Sequence, residues 1–139
     1  MEDLLKLENQ ICFPAYAFSR QITNLYRPLL DKLSITYPQY LVMLVLWEEK
    51  EKTVNQLGER LRLDSGTLTP LLKRLAQKGF VNRIRSKEDE RIVLISLTEE
   101  GSNLREQAKD IPTQIVSCLG VSIEELIHLK TILNKILIN

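Results

Sequence analysis

Apolar residues along most of this chain recur every three or four positions, and at one place the period drops to two. The three-to-four spacing predicts six helical segments, and the alternation predicts one β-hairpin. The first predicted helix runs from about residue 8 to 33, with Pro14 near its start and Pro28 near its end, so bends are expected. Thr36-Tyr37-Pro38-Gln39 has the pattern of a capping box with proline in the first turn, and it opens a second helix ahead of the apolar run Leu41 to Trp47. Thr53-Val54-Asn55-Gln56 opens a third, with apolar positions Val54, Leu57 and Leu61. After Arg62-Leu63 comes a fourth, with Asp64 as the expected N-cap and Gly79 at the position of a C-terminal cap. Val81 to Arg85 and, in part, Ile92 to Leu97 alternate around the charged turn Ser86 to Glu90, which reads as a hairpin with a polar tip. Thr98 caps a fifth helix running towards Cys118. Past Gly120, Ser122-Ile123-Glu124-Glu125 opens a sixth, whose apolar face (Ile123, Leu126, Ile127, Leu129, Ile132, Leu133, Ile136, Leu137) is wider than one small core requires.

The order helix, short link, helix, hairpin in the middle of the chain is that of a winged helix-turn-helix, with the fourth helix as the reading element. At 100° per residue Leu68, Leu71, Leu72 and Leu75 share one side. Gly66, Pro70, Lys73 and Gln77 take the other, flanked by Thr69 and Arg74. Gly66 and Pro70 are poor helix formers, and Pro70 removes the bond that would reach back to Gly66. They keep this face slim. Ser65, Thr67 and Thr69 can then bring hydroxyls close to a duplex, while the helix N-terminus favours phosphate. Lys73 and Arg74 are long enough to reach base edges or backbone.

Charge strengthens this picture only through its distribution. The net charge is +1, but residues 60–91 carry nine basic side chains (Arg60, Arg62, Lys73, Arg74, Lys78, Arg83, Arg85, Lys87 and Arg91) against four acidic ones, leaving the rest at −4. A basic middle between acidic ends suits a polyanionic partner. In the hairpin, Arg83, Arg85 and Lys87 add charge, and Arg91 is the candidate for minor-groove insertion. Asp89 repels phosphate, so its expected work is to hold Arg91 or Arg85 in one rotamer. With 44% hydrophobic and 27% charged residues the chain supports a packed core. Its seven-residue longest apolar run is too short for a bilayer, and no secretory signal is read in MEDLLKLENQ, so a cytoplasmic protein without membrane association is expected. Two distant cysteines, Cys12 and Cys118, are no disulfide framework, and with His128 they make a poor zinc site; neither metal nor cofactor is expected.

Asp89-Glu90-Arg91 followed by Val93-Leu94-Ile95-Ser96-Leu97-Thr98-Glu99-Glu100-Gly101 resembles the MarR family of dimeric winged-helix regulators. Leu63 to Arg74, Leu7 to Phe13 and Ile35 to Leu41 are similar to its organic-hydroperoxide-sensing, OhrR-type branch, over about residues 7–110. The resemblance implies a mainly α fold with a small β-hairpin wing. Residues 36–98 would form the DNA-binding winged helix-turn-helix, and residues 1–34 and 99–139 the helical dimerisation region, of one domain. It implies a non-enzymatic homodimeric repressor on a pseudo-palindromic operator in double-stranded DNA. Cys12 would sense organic hydroperoxide, with Tyr26 and Tyr37 of the partner subunit bonding its sulfur and Tyr16 one turn along. Cys118 departs from single-cysteine members and corresponds to a resolving thiol that closes an intersubunit disulfide, unless Cys12 is capped by a small thiol. A regulator switched by a small aromatic ligand stays open as the alternative.

Overall fold

In a computed structural model of the chain, residues 3–137 are described and fall into two compact units that divide between residues 109 and 110. In the first unit a single 3-10 turn, Leu7–Asn9, precedes α1 (Cys12–Asp31), α2 (Tyr37–Glu49), β1 (Glu51–Thr53), α3 (Val54–Leu61), α4 (Ser65–Gln77), β2 (Val81–Arg85), β3 (Val93–Leu97) and α5 (Glu99–Ala108). The second unit holds α6 (Ile111–Cys118) and α7 (Ile123–Leu137).

The helix starts form as the sequence predicts. At α2 the Gln39 amide donates to Thr36 Oγ1 at 3.4 Å and the Thr36 amide donates to Gln39 Oε1 at 2.9 Å. Thr53 and Gln56 repeat this box at α3, and Ser122 and Glu125 repeat it at α7. α4 ends in a full Schellman motif: Phe80 N–H donates to Leu75 O and Gly79 N–H to Ala76 O, with Gly79 at φ 84°. The leucine face of α4 is the wall of the core. Leu68, Leu72 and Leu75 are fully buried, as are Val42, Met43 and Leu46 of α2, Leu57 of α3 and Ile95 of β3.

Three expectations need correction. The sheet has three strands, not two: β1 pairs antiparallel with β3, with Lys52 opposite Ile95, giving the order β1-β3-β2. Glu51-Lys52-Thr53 shows no alternation, and its pairing is set by the neighbour. The expected fifth helix is two, α5 and α6. Pro112 stands in the first turn of α6, where its missing N–H cannot continue a ladder from α5. The first helix begins at Cys12 rather than residue 8, because Gln10 is extended and turns its side-chain amide back on Leu4 O and Lys6 O at 2.6 and 2.9 Å. α1 runs without a break through Pro28.

One corner joins the sheet to α5. Thr98 Oγ1 donates to Gly79 O at 2.5 Å and accepts from Gly101 N at 3.0 Å, and Thr98 N donates to Phe80 O at 3.1 Å. Trp47 Nε1 donates to Gly101 O at 2.8 Å. A Cβ on Gly101 would lie 2.0 Å from Phe80 O, so α5 can sit here only with glycine. Gly101→Ala, which would gain about 1 kcal/mol in a free helix, is expected instead to cost roughly 2–4 kcal/mol by overpacking against backbone. Urea unfolding measures this, and an unchanged or raised midpoint would show that the corner gives way.

Candidate nucleic-acid interface and cysteine site

Burial of the leucine face leaves the other side of α4 in solvent. Ser65, Gly66, Thr67, Pro70, Lys73 and Arg74 are exposed and Thr69 is half-buried. α4 is continuous through Pro70, so the missing bond to Gly66 does not break the helix. Its start is fixed by Asp64 Oδ1, which accepts from Thr67 N at 2.7 Å; the hydrogen bonds from Thr67 hold this carboxyl below the usual range.

The wing carries its charge in fixed places. Ser86 Oγ accepts from Glu88 N and Asp89 N, each at 3.3 Å, and closes the tip. Arg85 Nη1 donates to Glu90 O at 2.7 Å. Asp89 is forked onto Arg91: Oδ1 accepts from Arg91 Nε at 3.1 Å and from its backbone N at 3.0 Å, and Oδ2 accepts from Nη2 at 3.3 Å. Of the two arginines named as its partner, Asp89 holds Arg91. These bonds, the Arg91 side chain first, keep the Asp89 carboxyl below its ordinary range. The Arg91 side chain is nonetheless 91% exposed, so it is oriented without being covered. Lys87 is exposed at the tip.

Between wing and helices lies a groove of about 280 Å³ lined by Thr53, Asn55, Ser65, Thr69, Arg83 and Arg91, among others. Nε of Arg83 is buried there with no hydrogen-bond partner. Thr53 and Asn55 are polar groove residues that pattern reading missed, because their places at the start of α3 mark only a helix start. Two cations of the basic segment face elsewhere. Arg60 bonds Glu48 and Glu49 at 3.0 and 3.2 Å, and Lys78 is turned to Ser34 O and Gln39.

Cys12 is the first residue of α1 and Cys118 the last of α6; both are exposed free thiols, in different units. Tyr16 is exposed one turn after Cys12, with the Arg20 guanidinium 5.7 Å from its ring centre. Tyr26 and Tyr37 meet, with ring centres 4.7 Å apart. Tyr40, which the sequence reading did not single out, completes a trio at 5.6 Å from Tyr26 and 6.2 Å from Tyr37. Its signal was only a place in the first turn of α2, just ahead of the apolar run. Cys12 is not part of this trio within the chain. Fourteen residues of helix separate it from Tyr26, about 21 Å at 1.5 Å per residue. Burial, and then the nearby Tyr37 and Tyr40, push the Tyr26 phenol up to about 12. Burial also raises Tyr37 and Tyr40. All three are neutral hydrogen-bond donors at physiological pH. Among the described residues no three His, Cys, Asp or Glu side chains gather into a metal-holding group, and no helix is long and apolar enough to cross a membrane.

The recognition helix, the three-stranded wing and the helices around them define a winged-helix transcriptional regulator. A family model described as transcriptional regulator SarA/Rot matches residues 24–108. The organic hydroperoxide resistance transcriptional regulator of Bacillus subtilis (strain 168) is 58% identical over 135 residues, covering 97% of this chain and 92% of that protein. The solved structure of reduced AbfR bound to DNA superposes with a TM-score of 0.82 at 42% identity, covering 94% of this chain and 89% of that one. Disulfide-formed AbfR gives 0.68 at 41%, covering 94% and 92%; AbfR is a protein of Staphylococcus epidermidis. The chain belongs to the MarR/SarA-type winged-helix transcriptional regulators, in the branch of the organic hydroperoxide regulator.

The raised phenols have a consequence for titration. Below pH 10 they are neutral in folded and unfolded chains alike. From pH 10 to about 12 the unfolded chain ionises first, so stability falls across that window. An ultraviolet titration at 295 nm is expected to show tyrosines titrating late, the last of them Tyr26 near pH 12, and Tyr26→Phe to remove that last step. A wild-type titration complete by pH 11 would contradict this environment.

Proposed function

We propose that this chain is a dimeric DNA-binding repressor that senses organic hydroperoxide through Cys12 and leaves its operator on oxidation. The observation that carries the reading is the trio of neutral phenols gathered around Tyr26, which lies about 21 Å along α1 from the same chain's cysteine. Such donors can serve a Cys12 sulfur only from a second subunit. An interface for that subunit is available: α7 has no buried residue, and Ile123, Ile127 and Ile136 are each at least 60% exposed. The 58% identical relative named for organic hydroperoxide resistance supports the choice of oxidant.

In the first step the Cys12 thiolate attacks the terminal oxygen of ROOH. The O–O bond breaks, the sulfur takes that oxygen as sulfenic acid, and the alkoxide leaves with a proton as ROH. The partner subunit's Cys118 thiol then attacks the sulfenic sulfur, closing an S–S bond and releasing water. Cellular thiols reverse this. Disulfide-formed AbfR is a precedent in a relative at 41% identity. Rotation of the two wing-bearing parts spoils the half-site spacing, which a symmetric dimer needs to match its operator.

On DNA, α4 enters the major groove with Ser65, Thr67, Thr69 and Pro70 at the duplex surface and Lys73 and Arg74 reaching for bases or phosphates. Arg83, Arg85 and Lys87 neutralise backbone. Arg91, aimed by Asp89, enters the minor groove. Fluorescence anisotropy on the chain's own promoter DNA tests the whole reading. One equivalent of cumene hydroperoxide is expected to abolish wild-type binding and dithiothreitol to restore it, while Cys12→Ser stays bound throughout. Retained binding in Cys118→Ser after the same single equivalent would identify Cys118 as the resolving thiol, and release as in wild type would point to a small-thiol cap on Cys12. Wild-type binding untouched by peroxide would defeat the sensor reading. In the same assay Arg91→Ala is expected to lose about tenfold in affinity and about one unit of salt slope. Asp89→Asn should lose less, since charge stays and only aim is lost; equal losses would show that Asp89 has another task.

A further inference from the structure

Three helices of this chain open with the same capping box, and one of the three is built differently. At α3 and α7 the reciprocating side chains, Gln56 and Glu125, are exposed and bond only their own helix start. At α2 the corresponding Gln39 is 2% exposed, and it is the one polar side chain among the buried core residues described. Its Nε2 donates to Leu71 O in the middle of α4 at 3.5 Å. Its Oε1 accepts from Thr36 N at 2.9 Å and from Nζ of Lys78, the residue that caps the C-terminal end of α4, at 3.3 Å. Lys78 Nζ also donates to Ser34 O, in the turn that leads into Thr36. A surface cap needs none of this. Burying an amide is worthwhile only if its partners stay in register, because each bond lost inside the core leaves a polar group unpaired.

The position of this amide gives it a second role. Gln39 lies two residues after Tyr37, in the same first turn of α2. Leu71 follows Pro70 directly, on the helix whose opposite face would meet DNA. Gln39 thus joins the turn that carries a sensor phenol to the middle and the end of the recognition helix. We propose that Gln39 is the coupling residue of the switch: it binds the Tyr37 turn and α4 into one body, so that a displacement of Tyr37 on oxidation of Cys12 is passed to the recognition helix. This rests on the redox reading given above. Gln39 is a positioning residue, touching neither peroxide nor DNA.

The quantity that reports coupling is the ratio of the DNA dissociation constants of oxidised and reduced protein. A residue that only supports the fold would weaken both forms alike and leave that ratio alone. Gln39→Met keeps the length and removes the hydrogen bonds. It is expected to lower the ratio by about tenfold or more, while the rate of Cys12 oxidation by cumene hydroperoxide stays within about twofold of wild type, since coupling to a distal helix leaves the sensing step itself alone. Lys78→Met, at an exposed position, removes one partner without opening the core and is expected to lower the ratio by roughly threefold, a coupling change of the order seen when one contact in a network is cut. Circular dichroism establishes that each variant is folded. A wild-type response together with a wild-type ratio in the folded variants, Lys78→Met alone sufficing if Gln39→Met does not fold, would overturn the coupling and leave the sensor standing. A wild-type protein whose DNA affinity ignores oxidation would sink the sensor reading, and this inference with it.

Discussion

The seating of α4 by its leucine face is the constraint from which the rest of this structure follows. Leu68, Leu72 and Leu75 are removed from water altogether and Leu71 very nearly so, each worth about 1.5–3 kcal/mol as an upper estimate. A 13-residue helix has one face to give to the core, so the composition of the other is free for another purpose. That is why two residues that weaken helices are tolerated there. The N-cap at Asp64 and the Schellman motif at Gly79 hold both ends, and the packing holds the middle, so the missing bond at Pro70 breaks nothing. The slim surface is the gain.

Electrostatics arranges what packing has placed. The basic segment is less a uniform patch than the count of cations suggests, because Arg60 is satisfied by two glutamates and Lys78 by carbonyl oxygens. The cations left for a duplex are those of the slim face and the wing. Among these, Arg91 is held by a carboxylate that would itself repel phosphate. The fork restricts its rotamers before any partner arrives, which lowers the ordering cost of binding, and the guanidinium stays almost wholly in solvent.

Local chemistry was legible in the sequence wherever cause and effect lie within a few residues. Thr36, Thr53, Asp64, Thr98 and Ser122 were readable as caps because a hydroxyl or carboxylate three residues before a free N–H has few other uses. The leucine face was readable for the same reason, and so was an arginine partner for Asp89, though not which of Arg85 and Arg91 it is. What stayed hidden depends on distant neighbours. β1 exists because β3 offers it an edge, Tyr40 joins the phenol trio because α1 crosses there, and Gln39 shows in sequence only as a capping residue. The boundary between α5 and α6 had a local signal in Pro112, outweighed by the apolar periodicity on either side.

The separation of Cys12 from the phenols sets the final condition. A helix rises a fixed distance per residue, so no rotamer of Cys12 can cross fourteen residues to Tyr26 in the same chain. On the proposed reading the phenols gathered from α1 and α2 and the cysteine at the exposed start of α1 are complementary halves that one chain cannot join. On the proposed function the sensor works only in an assembly, and the assembly that would complete it is also the one that would space two recognition helices. Symmetry then ties the two functions together. On that reading a covalent change at the cysteine would act on the contact that brings the subunits into register, and register is what a two-fold operator reads.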